Sequence, residues 1–460
     1  MDVISDIIEY LLTKDVDFCD ARLEERKQLN ITVVNDEIRA ISSSENRGIS
    51  IRVLVNGAWG YASTTKDTWE EIKRTADMAV KMAKALSEGS SKKIEIHGVV
   101  STEEAKPRVL MHPWDVSIEE KLDTLFTLNR IERSYDNRIV NVTSRYAERI
   151  DHFELANSLG SVLVWDEVRT RIGSIVVAAE AGRMQYSYFH KDGTVGFELI
   201  KNLNLEEEGQ KVAKEAVDLL SAKKPPAGQL TVIADPSVAG VLAHEVMGHA
   251  SEADEIVKRR SFLTDAVGKV VGSEYITMVD DGTISGAHGS IPFDSEGTPA
   301  SRTVIIEKGV YKGYMHSLET AAIMDTEPTG NGRAQDFNRR IFVRMTNTFF
   351  EPGDWSFEEI IEDTKDGLLA LKSLGGMEDP VGGGFQTTVL MGYIIRDGEL
   401  KDFVREFTLS GKALEILKTV DAVSKEFELH GGYCGKGEED WVPVSTGGPY
   451  LRAKILVGGG

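Results

Sequence analysis

The stretch Leu230-Thr231-Val232-Ile233-Ala234-Asp235-Pro236, running on to His244-Glu245-Val246-Met247-Gly248-His249, carries both the reading of the fold and the candidate chemistry. Its first five residues predict a strand. Asp235 offers a side-chain acceptor for an N-cap and Pro236 a preset φ for the first turn, so a helix is predicted to begin there. That helix bears two histidines, whose neutral nitrogens suit a metal, and a glutamate able to serve as general base toward a water. On a regular helix, side chains four apart are separated by about 40° and side chains five apart by about 140°. His244 and His249 are five apart. They can share an ion only if a π-bulge absorbs one residue, or if the helix kinks or ends before His249. Gly248 is expected to ease either distortion. The competing reading is two unrelated histidines, and spacing alone leaves both open.

Working outward, Ala222-Lys223-Lys224-Pro225-Pro226-Ala227-Gly228 reads as a linker. It divides the chain into an N-terminal α+β domain, 1–224, and a C-terminal β-rich domain, 225–460. The fold class is α+β: an N-terminal mixed α/β domain with helices packed on a sheet, and a β-rich C-terminal domain carrying the metal-binding helix. In the first part, Val3, Ile4, Ile7, Ile8, Leu11 and Leu12 repeat at helical spacing and are read as one apolar stripe. Asn56-Gly57 between β-prone runs predicts a hairpin. Asp67 and Ser117 are read as helix starts, strands are expected near 139–147, 161–167 and 173–180, and a charged helix near 205–221. The second part reads as short strands and glycine turns, with hairpin turns at Lys308-Gly309 and Asp397-Gly398.

Composition narrows the function. Hydrophobic residues are 41% and charged residues 28%, values of an ordinary globular protein, and the formal net charge of −21 argues against binding nucleic acid or an anionic membrane surface. No basic and apolar leader opens the chain and no apolar run is long enough to span a bilayer. With two cysteines, Cys19 and Cys434, a disulfide framework is implausible and a cytoplasmic location is expected.

A hydrolytic zinc site needs a third protein ligand and an open position. The carboxylates Glu252, Asp254 and Glu274 are weak candidates in so acidic a chain. Cys434 is stronger: in Gly431-Gly432-Tyr433-Cys434-Gly435-Lys436-Gly437 it is read on a loop, where core packing explains it poorly and a thiolate suits zinc well. His430 is a lesser candidate, His288 and His316 lesser still, and Cys19 is read as structural. Gly330-Asn331-Gly332 lacks the ending of a phosphate loop and reads as a turn, with Arg333 beside it expected in a salt bridge.

Several segments together resemble the TldD/PmbA family, in particular its metal-bearing TldD branch. They are the His244–His249 motif, Ser295-Glu296-Gly297-Thr298-Pro299 with Arg302–Gly309, Thr329-Gly330-Asn331-Gly332-Arg333, Arg344-Met345-Thr346-Asn347-Thr348, and Cys434–Gly437 through Val457-Gly458-Gly459. Trp59-Gly60-Tyr61-Ala62-Ser63 is similar too. Departures fall at Ser295 and in Glu438-Glu439-Asp440. The resemblance implies that His244, His249 and Cys434 bind zinc (Zn2+) and that Glu245 is the catalytic base of a metalloprotease. It also implies short or unfolded peptides as substrates, and a dimer formed with a motif-lacking PmbA/TldE-like subunit or with a second copy. Extended peptides are expected to add a strand to a sheet edge in the C-terminal domain. The alternatives are a non-catalytic peptide-binding or assembly subunit with a structural metal, completed by His430 or a carboxylate, and an amidohydrolase acting on non-peptide substrates.

Overall fold

The computed structural model describes residues 2–88 and 94–459. The N-terminal half is built on a seven-stranded sheet whose long members, Glu37–Val55, Phe18–Val34, Ile139–Asn157 and Val162–Glu180, pair antiparallel in that order. The Asn56-Gly57 turn joins Glu37–Val55 to Ala58–Thr64, both residues lying at positive φ. Helices Asp2–Leu12 and Trp69–Ser87 cover one end of the sheet, burying Ile4, Ile7, Leu11, Ala76 and Ala79. Helices Ile118–Ser134 and Leu205–Leu219 cover the other end, over Leu29, Ile31, Val142 and Ile172. Ser117 caps the third helix through Glu120 N–H, whereas the second starts at Trp69 rather than Asp67.

The runs expected near 161–167 and 173–180 form one strand, Val162–Glu180. Arg169 and Arg171 lie between those runs. They stay within the strand because Arg169 is buried against the C-terminal half, donating to Glu167 Oε2 at 2.5 Å and to the carbonyls of His288 and Ser290 at 2.9 and 3.1 Å.

The C-terminal sheet closes on itself. Glu439–Gly459 pairs with Glu399–Lys412, which pairs with Gly384–Arg396, then Asp366–Asp379, then Gly228–Ala234, and the last strand returns to Glu439–Gly459. These strands from Asp366 onward are long, contrary to the expectation of short ones; short strands are confined to the stretch between Met278 and Phe350. Closure gives each long strand of this ring a partner on both edges, whereas Ala422–Lys436, outside the ring, pairs only with Glu439–Gly459. On one face Val232, Ala234, Leu368, Ala370, Phe407 and Leu409 receive the helix that follows Asp235. So short a helix holds its shape through this packing, each buried aliphatic side chain contributing about 1.5–3 kcal/mol, and not through intrinsic propensity. No helix among the described residues is long and apolar enough to cross a membrane.

Candidate metal centre

Asp235 starts the helix as its sequence predicts, accepting a hydrogen bond from Val238 N–H at 2.9 Å, and it also accepts one from Lys372 N–H at 3.0 Å. Pro236–Val241 is α-helical, Leu242–Gly248 is π-helical, and His249–Ser251 tightens to a 3-10 turn. The His249 N–H donates to the His244 carbonyl, the i→i+5 bond that absorbs the extra residue. Both histidines therefore face the same way, with ring centroids 5.0 Å apart. Gly248 contributes differently from expectation. Its φ of −61° suits any residue; what it supplies is room, because a Cβ there would lie 2.1 Å from Met345 Sδ.

Cys434 lies on the strand Ala422–Lys436, not on a loop, and is buried where a register shift interrupts pairing with Glu439–Gly459. Gly437, at φ +61°, makes the turn that sends the chain back along that pairing. The thiol Sγ is 3.2 Å from His244 Nε2 and 3.4 Å from His249 Nε2. Zinc–nitrogen and zinc–sulfur bond lengths with tetrahedral angles give an N···S separation of about 3.5 Å, so this donor set fits such an ion. Burial alone would raise the Cys434 thiol, yet the neighbouring His249 and His244 bring it well below its ordinary value, toward the thiolate that binds metal. No fourth histidine, cysteine or carboxylate joins this group among the described residues.

Around the triad the groups are ordered by ion pairs. The His249 Nδ1–H donates to Glu252 Oε2 at 3.2 Å, fixing which nitrogen faces Cys434. Glu252 is fully buried; against that burial, Lys436 and His249 hold its carboxyl down at about 2. Lys436 bridges Glu252 at 2.9 Å and Asp254 at 2.7 Å. Arg344, completely enclosed, donates to the Cys434 carbonyl at 2.5 Å and to Glu439 Oε2 at 2.6 Å. Glu245 stands one residue from His244 and shares a second group with His249 and Glu378. Burial pushes its carboxyl up to about 7, opposed by the two histidines and aided by a hydrogen bond with Glu378.

His244 and Glu245 open onto a cleft of about 710 Å3 between the two halves, whose opposite wall includes Tyr188 and His190 from the N-terminal sheet. Of the other sequence candidates, His430 lines this cleft apart from the triad, Asp254 binds Lys436, and Glu274 is exposed. Arg333, expected in a salt bridge, makes none among the described residues; it is buried and donates to the Met345 carbonyl. Lys436, Arg344, Glu378 and His190 carry no local sequence signal of a site, because the groups they meet there come from distant segments.

Family models match nearly the whole chain: PmbA/TldA metallopeptidase domain 1 over residues 19–83, the central domain over 112–223, and the C-terminal domain over 227–459. The chain belongs to the TldD/PmbA metallopeptidase family. This TldD/PmbA member is 41% identical to a metalloprotease of Methanocaldococcus jannaschii, over 96% of this chain and 97% of that one. It is 28% identical to a zinc metalloprotease TldD homolog of Saccharolobus solfataricus, over 96% of each. Its fold matches the crystal structure of TldE from Thermococcus kodakarensis with a TM-score of 0.78 at 21% identity, over 98% of this chain and 99% of that one.

Proposed function

We propose that this protein is a zinc-dependent peptidase of short or unfolded polypeptides, with His244, His249 and Cys434 as ligands and Glu245 as general base. The observation that carries the reading is convergence of two imidazole nitrogens and a thiol, drawn from segments 185 residues apart, at the mouth of the interdomain cleft. Bound zinc supplies Lewis acidity toward a water and the scissile carbonyl. Glu245 takes the proton from that water and passes it to the departing amine. Glu252 and Lys436 hold His249 in register while Arg344 anchors the strand that presents Cys434. A three-donor group leaves room for substrate, which favours the catalytic role over a structural metal. The name carried by the Saccharolobus relative supports zinc, and a thiolate ligand agrees with it.

The cleft is bordered by the strands Arg183–Gly193 and Ala422–Lys436, each paired on one side within its sheet, so an extended peptide can hydrogen-bond to main chain there. The protein acts in the cytoplasm as a dimer, with a TldE-like subunit or with itself; likeness to the Thermococcus TldE supports such a pairing of similarly shaped chains. The deciding test is Glu245→Gln with zinc analysis. The variant should keep one zinc per chain and lose peptide hydrolysis by at least about a hundredfold. Cys434→Ser should lose the metal, and so should the wild type after chelation. Unchanged hydrolysis in Glu245→Gln would sink this assignment.

A further inference from the structure

The N-terminal sheet turns one face to its helices and the other to the C-terminal half. Along Phe18–Val34, Leu29, Ile31 and Val33 enter the helical core, while Arg26, Gln28 and Asn30 alternate onto the opposite face. The adjacent strands add Arg145, Arg149 and Arg171 to that face. The register sets Arg149 directly across from Gln28 on one side and from Arg169 on the other, and sets Arg145 across from Gly173. The arginines on this face border a recess of about 650 Å3, roofed by Gln335, Tyr433 and Trp441. Among the described residues, no aspartate or glutamate lines it, although the chain as a whole carries a net charge of −21.

Part of the positive charge is met from behind. Arg26 pairs with Glu24 and Asp151, both at 2.6 Å, Arg149 with the same Asp151 at 2.6 Å, and Arg171 with Asp192 at 3.0 Å. Arg145 is exposed and has no ion-pair partner among the described residues. Burial lowers the Arg149 guanidinium below its ordinary value, and repulsion from Arg26 and Arg169 adds to this. Like charges directly opposite in a sheet are unfavourable. Keeping them on rigid strands around a recess prepares a planar, multidentate seat for a carboxylate. The recess is continuous with the cleft at Glu245, sharing Arg171, Tyr188, His190, Tyr433 and Trp441 with it.

We propose that this arginine-lined recess is an anion subsite that seats a carboxylate of the bound peptide, either its C-terminus or an Asp or Glu side chain, while the chain crosses Glu245. Calling the ligand a peptide rests on the metallopeptidase reading; the subsite is tested by binding alone. Calorimetry on the zinc-loaded, full-length Glu245→Gln protein would compare three alanine-based peptides: one with a free C-terminal carboxylate, the same peptide amidated, and an amidated peptide with one internal Glu. At least one carboxylate-bearing peptide should bind on the order of tenfold more tightly than the neutral one. That advantage should shrink with added salt and disappear in Arg145→Ala and Arg145→Glu, with thermal melting confirming that the variants fold. Which peptide gains identifies the terminus or the side chain as the source. Equal binding of all three, no binding of any, or an advantage untouched by both Arg145 variants and by Arg171→Gln would overturn the subsite. If discrimination persists while wild-type protein hydrolyses none of the peptides, the subsite stands and the peptidase assignment falls.

Discussion

At the scale of the residue, Gly248 shows how a glycine can serve the helix of a candidate metal site without using its conformational freedom. Its backbone is ordinary helix, and Met345 Sδ occupies the space a Cβ would need. Gly248→Ala is therefore expected to destabilise the protein by about 1–3 kcal/mol through overpacking, and to displace the helix turn between His244 and His249. Chemical denaturation with zinc titration would measure both effects. Adding Met345→Ala should recover part of the loss, because the two side chains share one space; a double variant no better than the single one would exclude the clash as the cause.

At the scale of the element, the helix Ile118–Ser134 brings a carboxylate onto the sheet. Glu132 is fully buried, with one oxygen accepting from Ser174 Oγ and the other without a partner. Burial raises its carboxyl from 4.5 to about 8. Between those values the folded protein holds a proton that the unfolded chain has released, so stability is greatest below the unfolded value and falls as pH rises toward the folded one. The slope reaches about 1.4 kcal/mol per pH unit at most. Glu132→Gln should flatten that decline and melt above the wild type in mildly alkaline buffer. Parallel pH profiles for the two proteins would refute the shift. In the helix of the candidate metal site, His244 and His249 could share an ion only through a distortion, and the structure has a π segment there, not a kink or an early end.

At the scale of the whole molecule, the two halves are joined by buried charge. Arg52 on the strand Glu37–Val55 donates to Asp20 and, at 2.9 Å, to Glu296 from the C-terminal half. Glu296 in turn accepts from Leu318 N–H at 2.6 Å. Arg52→Met would leave both carboxylates enclosed without their cation, a loss of about 3–5 kcal/mol. The variant should unfold at clearly lower denaturant and, because the cleft spans both halves, bind peptide more weakly while retaining zinc. Normal denaturation would show that the junction does not depend on this ion pair.

Much of this protein was legible in its chain, because the signals were local: the Asp235-Pro236 cap, the Asn56-Gly57 turn, and the spacing of His244 and His249. Cys434 could be suspected from composition and was drawn to the histidines through resemblance, yet it was expected on a loop. Only pairing of Ala422–Lys436 with Glu439–Gly459 put it on a strand facing them. The unbroken Val162–Glu180 strand was hidden for the opposite reason: its charges look solvent-facing until the other half of the molecule covers them. Lys436 behind Glu252, Glu378 beside Glu245, and the arginines around the recess likewise become sites only when distant strands meet. Local sequence determines capping, turns and which residues share a face, since those depend on neighbours along the chain. Which faces then confront one another, and so which charges and donors converge, is decided by the closure of the C-terminal sheet and its docking against the N-terminal one.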